Sequence, residues 1–165
     1  MIARTTADAL ATLRPGAAWV CHGNDYAGIE WLDQAQSKPT QDEVSAWLAS
    51  PTVNDVVAER SRRFALGFDY DFQDARGVHR IATTKADMEG WDDVTKLANA
   101  LIDVGDTQTQ IAIVTDTGPT QVTAPEWQAV ILYGAQIRQV IWAKSFALQA
   151  MNPIPSDYTS DAYWT

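Results

Sequence analysis

The stretch Ile111-Ala112-Ile113-Val114-Thr115-Asp116-Thr117-Gly118-Pro119-Thr120-Gln121-Val122-Thr123-Ala124-Pro125-Glu126-Trp127 decides the fold. Ile111 and Ile113 alternate with smaller residues, as a half-buried strand requires, Asp116 to Pro119 supply a turn, and Gln121-Val122-Thr123 bring the chain back. Thr123-Ala124-Pro125-Glu126 is a capping box: the threonine hydroxyl caps the first turn while the glutamate reaches back to the threonine N–H, so a helix opens here. The helix is expected to run to Met151, about 27 residues or about 40 Å at 1.5 Å per residue. This unit carries no nucleophile, metal cluster or phosphate loop, so it reads as architecture.

On a helical wheel Trp127, Val130, Ile131, Gly134, Ile137, Ile141, Ser145 and Leu148 line one face, the expected seam against the sheet. Ala129, Leu132, Ala143, Phe146, Ala147 and Ala150 share the opposite face with Gln128, Gln136 and Gln139, with hardly a charge. A helix that is apolar or small on both sides calls for a second partner, either another layer of its own domain or another chain. Leu132 and Phe146 are therefore candidate partner-binding residues. Arg138 falls inside the first stripe, where it either snorkels at the edge of the seam or forms a buried ion pair with Glu126 or Asp116.

Upstream, Phe64, Leu66, Phe68, Tyr70 and Phe72 recur at period two and predict one strand, Asp74 to Gly77 make a turn, and Val78 to Thr83 return as its partner. Asp69, Asp71 and Asp74 invite a calcium reading. A helix-loop-helix calcium site also needs a central glycine and a distal glutamate, and strand alternation already accounts for these aspartates. A helix from about Ala86 to Asp103, with Met88, Trp91, Val94, Ala98 and Ile102 on one stripe, joins the two hairpins. Before the first hairpin, a helix is expected from Asn54 to about Arg63, ending in the basic cluster Arg60, Arg62 and Arg63, a solvated or ion-paired helix end.

Residues 1–51 read as an arm of short pieces, punctuated by Pro15-Gly16, Gly23-Asn24-Asp25 and Lys38-Pro39. Strands are expected over Ala17 to Cys21 and Ile29 to Leu32, and Thr40-Gln41-Asp42-Glu43 opens a short helix with a second capping box. The arm holds Trp19, Trp31 and Trp47, which build a miniature core of their own or lie on a neighbouring surface. Beyond Met151, Asn152-Pro153-Ile154-Pro155 cannot continue the helix, and residues 152–165 form an acidic tail with Tyr158, Tyr163 and Trp164. This tail either packs on its own domain or docks onto a neighbouring subunit, and the second is favoured because its composition offers no core of its own.

Composition narrows the classes. At 165 residues, 46% hydrophobic and 20% charged, the chain suits one compact domain of residues 52–151 with these two extensions. A net charge of -9 opposes a phosphate-tracking surface, so no nucleic-acid partner is expected. No apolar run reaches the roughly 20 residues of a membrane span, and the first residues lack the apolar core of a signal peptide, so synthesis in a cytoplasm is expected. One cysteine, Cys21, and two histidines, His22 and His79, are too few for a zinc site. No cofactor, metal or catalytic residue is expected, and the sequence-level fold class is α+β: two hairpins forming a small antiparallel sheet packed by two helices.

Arg63-Phe64-Ala65-Leu66-Gly67-Phe68, Val78-His79-Arg80-Ile81-Ala82-Thr83-Thr84, Asp87-Met88-Glu89-Gly90-Trp91 and Val122-Thr123-Ala124-Pro125-Glu126-Trp127 resemble a family of small tailed-bacteriophage proteins built on a domain of unknown function. The likeness covers about Arg62 to Met151. Ile29-Glu30-Trp31-Leu32 and Pro39-Thr40-Gln41-Asp42-Glu43-Val44 also look like leader segments of short phage tail proteins. The resemblance implies a structural virion protein, an adaptor in the tail tip, baseplate or tail-fibre attachment region. Its partners would be other tail proteins, including copies of itself. The alternatives are a tail-fibre assembly chaperone absent from the finished particle, and a cell-wall hydrolase using Asp69 and Asp71 or Asp92 and Asp93. The family brings no catalytic residues with it.

Overall fold

The structure is a computed structural model that describes residues 4–165. The chain forms two compact units that divide between Pro51 and Thr52.

The first unit contains α1 (Thr6–Leu13), β1 (Trp19–Cys21), β2 (Ile29–Trp31) and α2 (Gln41–Ala49). Its core is Ala9, Leu10, Ile29 and Val44, with Trp19, Trp31 and Trp47 half-buried against it. Helix α1 was not anticipated from the sequence. It opens on Thr5 with Asp8 reaching back, the same box as at Thr40 but with aspartate in the fourth place. In β1 and β2 Trp19 pairs with Trp31 across an antiparallel ladder, and the Trp31 indole N–H donates to the Gln36 carbonyl at 2.9 Å. The Arg4 guanidinium lies 4.4 Å from the Trp47 ring centre and donates to the Trp47 carbonyl.

The second unit contains α3 (Val53–Ala65), β3 (Phe68–Asp71), β4 (Val78–Ile81), α4 (Lys85–Asp103), β5 (Ile111–Thr115), β6 (Gly118–Val122) and α5 (Ala124–Gln149). The hairpin, helix, hairpin, long helix order read from the sequence stands, and the class is α+β. The detail differs in two places. Phe64 and Leu66 do not belong to the strand: α3 continues through Ala65 and leaves Leu66 exposed at its end. Gly67 forces the change of direction, with φ of 72° and an added Cβ that would lie 2.2 Å from the Ile81 carbonyl oxygen. Period-two spacing across this joint was a coincidence of a helix end with a short strand.

The two hairpins also pair each within itself rather than as one ladder. They are bridged at the turn of the second: the Asp116 N–H donates to the Arg80 carbonyl at 3.1 Å, and the Arg80 N–H donates to Thr117 Oγ1 at 2.8 Å. Buried His79 adds a third link through Nδ1, 2.9 Å from Thr115 Oγ1. The same hydroxyl donates to the Gly118 carbonyl at 2.8 Å, which ties the link to the turn of the second hairpin.

The main core joins Phe68, Ile81, Trp91, Ala98, Ile111, Ile113, Val122, Trp127 and Val130. Trp91 and Trp127 meet with ring centres 5.1 Å apart, and the Trp127 N–H reaches Thr95 Oγ1 at 2.9 Å. Gly134 lets the Phe68 ring lie on α5, since a Cβ there would come within 2.6 Å of that ring. Helix α3 packs on the far half of α5 and forms a smaller cluster of Val56, Leu148 and Trp164.

Candidate functional site

The solvent face of α5 is an extended surface feature that the core leaves unexplained. Its exposed positions from Pro125 to Ala147 are proline, glutamine, alanine, leucine, tyrosine, valine and phenylalanine, without a charge. Leu132 is 62% exposed and Phe146 58%. Leu132 forms a crest between two grooves. One, of about 490 Å³, is lined by Tyr70, Phe72, Tyr133 and Gln136; the other, of about 320 Å³, by Thr95, Asn99, Trp127 and Gln128. Tyr133 is held edge-on to both Phe68 and Tyr70, at 5.8 and 5.6 Å, which fixes the wall of the first groove. Such a face exposes apolar area that a partner would remove from water at about 25 cal/mol per Å².

The three charged residues of α5 all turn away from this face. Glu126 closes the capping box with Thr123 and accepts from Arg76 at 2.5 Å. That guanidinium, which also holds Asp74 at 2.6 Å, keeps the Glu126 carboxyl below its ordinary range and is itself raised by the two carboxylates. Arg138 meets neither Glu126 nor Asp116 as an ion-pair partner; it lies 4.1 Å from the centre of the Phe64 ring. The sequence reading missed Arg76 because a turn arginine gives no sign of which helix end it will reach. Lys144 donates to the terminal oxygen of Thr165.

The other predicted binding residues fall differently. Trp19, Trp31 and Trp47 are packed on the core of their own unit. The tail, expected to dock on a neighbour, lies on its own α3 and α5 instead. Trp164 is 3% exposed beside Val56 and Leu148, with Tyr158, Tyr163 and Ile154 against the same cluster. Its indole N–H donates to the Tyr158 carbonyl at 2.7 Å, and the Arg63 guanidinium sits 4.9 Å from the Trp164 ring while pairing with Asp161 at 2.9 Å. An aromatic tail without a core of its own thus completes a core supplied by two helices. Of the eight candidates, Leu132 and Phe146 are the ones exposed to solvent.

The basic cluster is divided. Glu59, 6% exposed, accepts from Arg62 at 2.7 Å and Arg63 at 2.8 Å, and these bonds, Arg62 first, hold its carboxyl below the ordinary range. Arg60 leaves the cluster and lies 3.9 Å over the Trp142 ring.

The acidic residues considered for calcium or hydrolysis are occupied locally. Asp69 pairs with Arg80 at 3.0 Å, Asp71 accepts from the Gln73 N–H, and Asp92 and Asp93 share Lys96. Among the described residues no group of three or more His, Cys, Asp or Glu side chains is placed to hold a metal ion, and no helix is long and apolar enough to cross a membrane. Comparison with protein-family models, with curated proteins and with solved structures found no match.

Proposed function

We propose that this protein is a structural, protein-binding component of a bacteriophage tail, an adaptor in the tail tip, baseplate or fibre-attachment region, working by contact rather than catalysis. The observation that carries the binding reading is the charge-free exposed face of α5, with Leu132 standing between two grooves. A helix about 39 Å long offers a rigid surface, on which little ordering entropy opposes association. The phage assignment rests on the resemblance of the stretch from Arg62 to Met151, whose hairpin, helix, hairpin, long helix order suits a spacer between neighbours. The neighbours are other tail proteins, copies of this chain among them.

Mass spectrometry of purified particles tests the station. Stoichiometric presence is expected. Abundance in the infected lysate with absence from particles replaces the adaptor with the assembly chaperone, and a cleared band in a cell-wall zymogram replaces both with a hydrolase.

A further inference from the structure

One flank of α5 carries chemistry that the charge-free face does not. Arg138, Phe64, Trp142 and Arg60 form an alternating ladder between α5 and the end of α3. Guanidinium Arg138 is 4.1 Å from Phe64, Phe64 is 5.6 Å from Trp142, and Trp142 is 3.9 Å from guanidinium Arg60. Phe146 stacks on the outer side of Trp142 at 5.4 Å. Arg60 touches Ser145 Oγ at 3.4 Å, a neutral group. Among the described residues neither Arg60 nor Arg138 has a carboxylate at ion-pair distance, although acidic groups outnumber basic ones 21 to 12 in this chain.

Beside Arg138 opens an apolar slot of about 250 Å³, walled by Phe68, Ile81, Met88, Trp91 and Ile131. The slot and the ladder lie on the same side of α5, where Ile131, Ala135, Arg138 and Trp142 follow one another at spacings of four, three and four residues. A stacked guanidinium keeps its in-plane N–H donors free for a carboxylate, so stacking on rings prepares an arginine for an anion rather than satisfying it.

The molecule already shows how such chemistry is used. On the other flank of the α3–α5 pair the tail sets Asp161 on Arg63 and the Trp164 ring against the same guanidinium and an apolar cluster. We propose that the slot and the Arg138–Arg60 ladder form a docking strip for an acidic segment of a partner protein bearing one large apolar side chain. The anchor enters the slot beside Met88 and Trp91, one carboxylate meets Arg138, and a second meets Arg60. This deepens the binding reading and rests on it, though not on the phage assignment.

The test uses a fluorescein-labelled synthetic peptide of residues 156–165, acidic and aromatic, titrated with the full-length protein and followed by anisotropy. Saturable binding is expected that weakens at least 10-fold when the salt is raised from low to high concentration, and at least 10-fold when both peptide aspartates are asparagine. Arg60→Gln with Arg138→Gln should weaken it at least 10-fold with unchanged circular dichroism, and the double lysine exchange should recover only part of the loss. Ala135→Trp, which fills the slot from its lip and leaves both arginines, should weaken it as strongly. Absence of saturable binding overturns the proposal. So does binding indifferent to Arg60, Arg138 and Ala135, which would mean exchange with the protein's own tail, and so does tighter binding of an oligothymidylate, which would mark a nucleic-acid strip. Presence of the protein in particles is read separately, so either reading can fall without the other.

Discussion

The two faces of α5 are built from nearly the same residue types and meet opposite fates. On the inner face Trp127, Val130, Gly134 and Leu148 are sealed by the hairpins, α3 and α4; on the outer face Leu132, Tyr133, Val140 and Phe146 stand in solvent. Apolarity marks both faces as surfaces to be covered. What separates them is supply: within the second unit the hairpins, α3 and α4 cover one face and leave the other in solvent. An uncharged outer face therefore points to something outside this unit.

The largest effect should come from the inner face. Trp127→Ala, at 0% exposure and bonded to Thr95, should lower unfolding free energy by roughly 3–5 kcal/mol, read by chemical denaturation; a parent-like midpoint would break the register of α5. Trp164→Ala should cost about 3 kcal/mol, because the tail is part of the α3–α5 cluster. A change below about 0.5 kcal/mol, ordinary for a surface position, would return the tail to the role of a loose docking arm.

Gly134→Ala sets about 1–3 kcal/mol of crowding on Phe68 against about 1 kcal/mol of helix propensity, so a net loss of about 1 kcal/mol is expected by the same assay. Smallest in stability is Leu132→Glu with Phe146→Glu, within about 0.5 kcal/mol of the parent, yet this pair should abolish incorporation or self-association in sedimentation and particle assays. Insolubility of that double variant would move both side chains into a core and erase the contrast between the faces.

Acid gives a further check on α3. The Glu59 carboxyl is depressed below its unfolded value of 4.5 by Arg62 and Arg63. A group so depressed stabilises the fold above the unfolded value and loses that contribution as pH falls through the folded one. Glu59→Gln should be less stable than the parent at neutral pH, and the gap should close on acidification below about 4.5. A pH-independent gap in thermal melts would mean that the pair contributes by packing alone.

Much of this arrangement was legible from local pattern. Both faces of α5, its start at Thr123, and the order of the second unit follow from periodicity and capping, because these signals act within four residues. The strand over Phe64 to Phe72 was misread because alternation does not report the backbone reversal that Gly67 permits. Helix α1 escaped notice because it is only eight residues long and runs straight into the Pro15-Gly16 break, which makes the segment read as a short irregular piece. The tail was assigned the wrong partner for a deeper reason: whether Trp164 finds Leu148 and the far more distant Val56, or another chain, depends on how α3 and α5 come together, which no local pattern encodes. The Arg138 ladder was invisible likewise, since its rungs alternate between α3 and α5.

All five α-helices of the described chain start on the same punctuation mark, a threonine followed three places later by an acid: Thr5 and Asp8, Thr40 and Glu43, Thr52 and Asp55, Thr84 and Asp87, Thr123 and Glu126. Each mark is read within its own four residues, so a helix's phase, and with it the face it presents, is independent of the length of the loop before it. Insertions and deletions ahead of a mark are absorbed as slack in the connection instead of rotating the helix about its axis. The start of α5 is thereby set at Thr123 itself, and the residues that make up its outer face are counted from that mark rather than from anything before it.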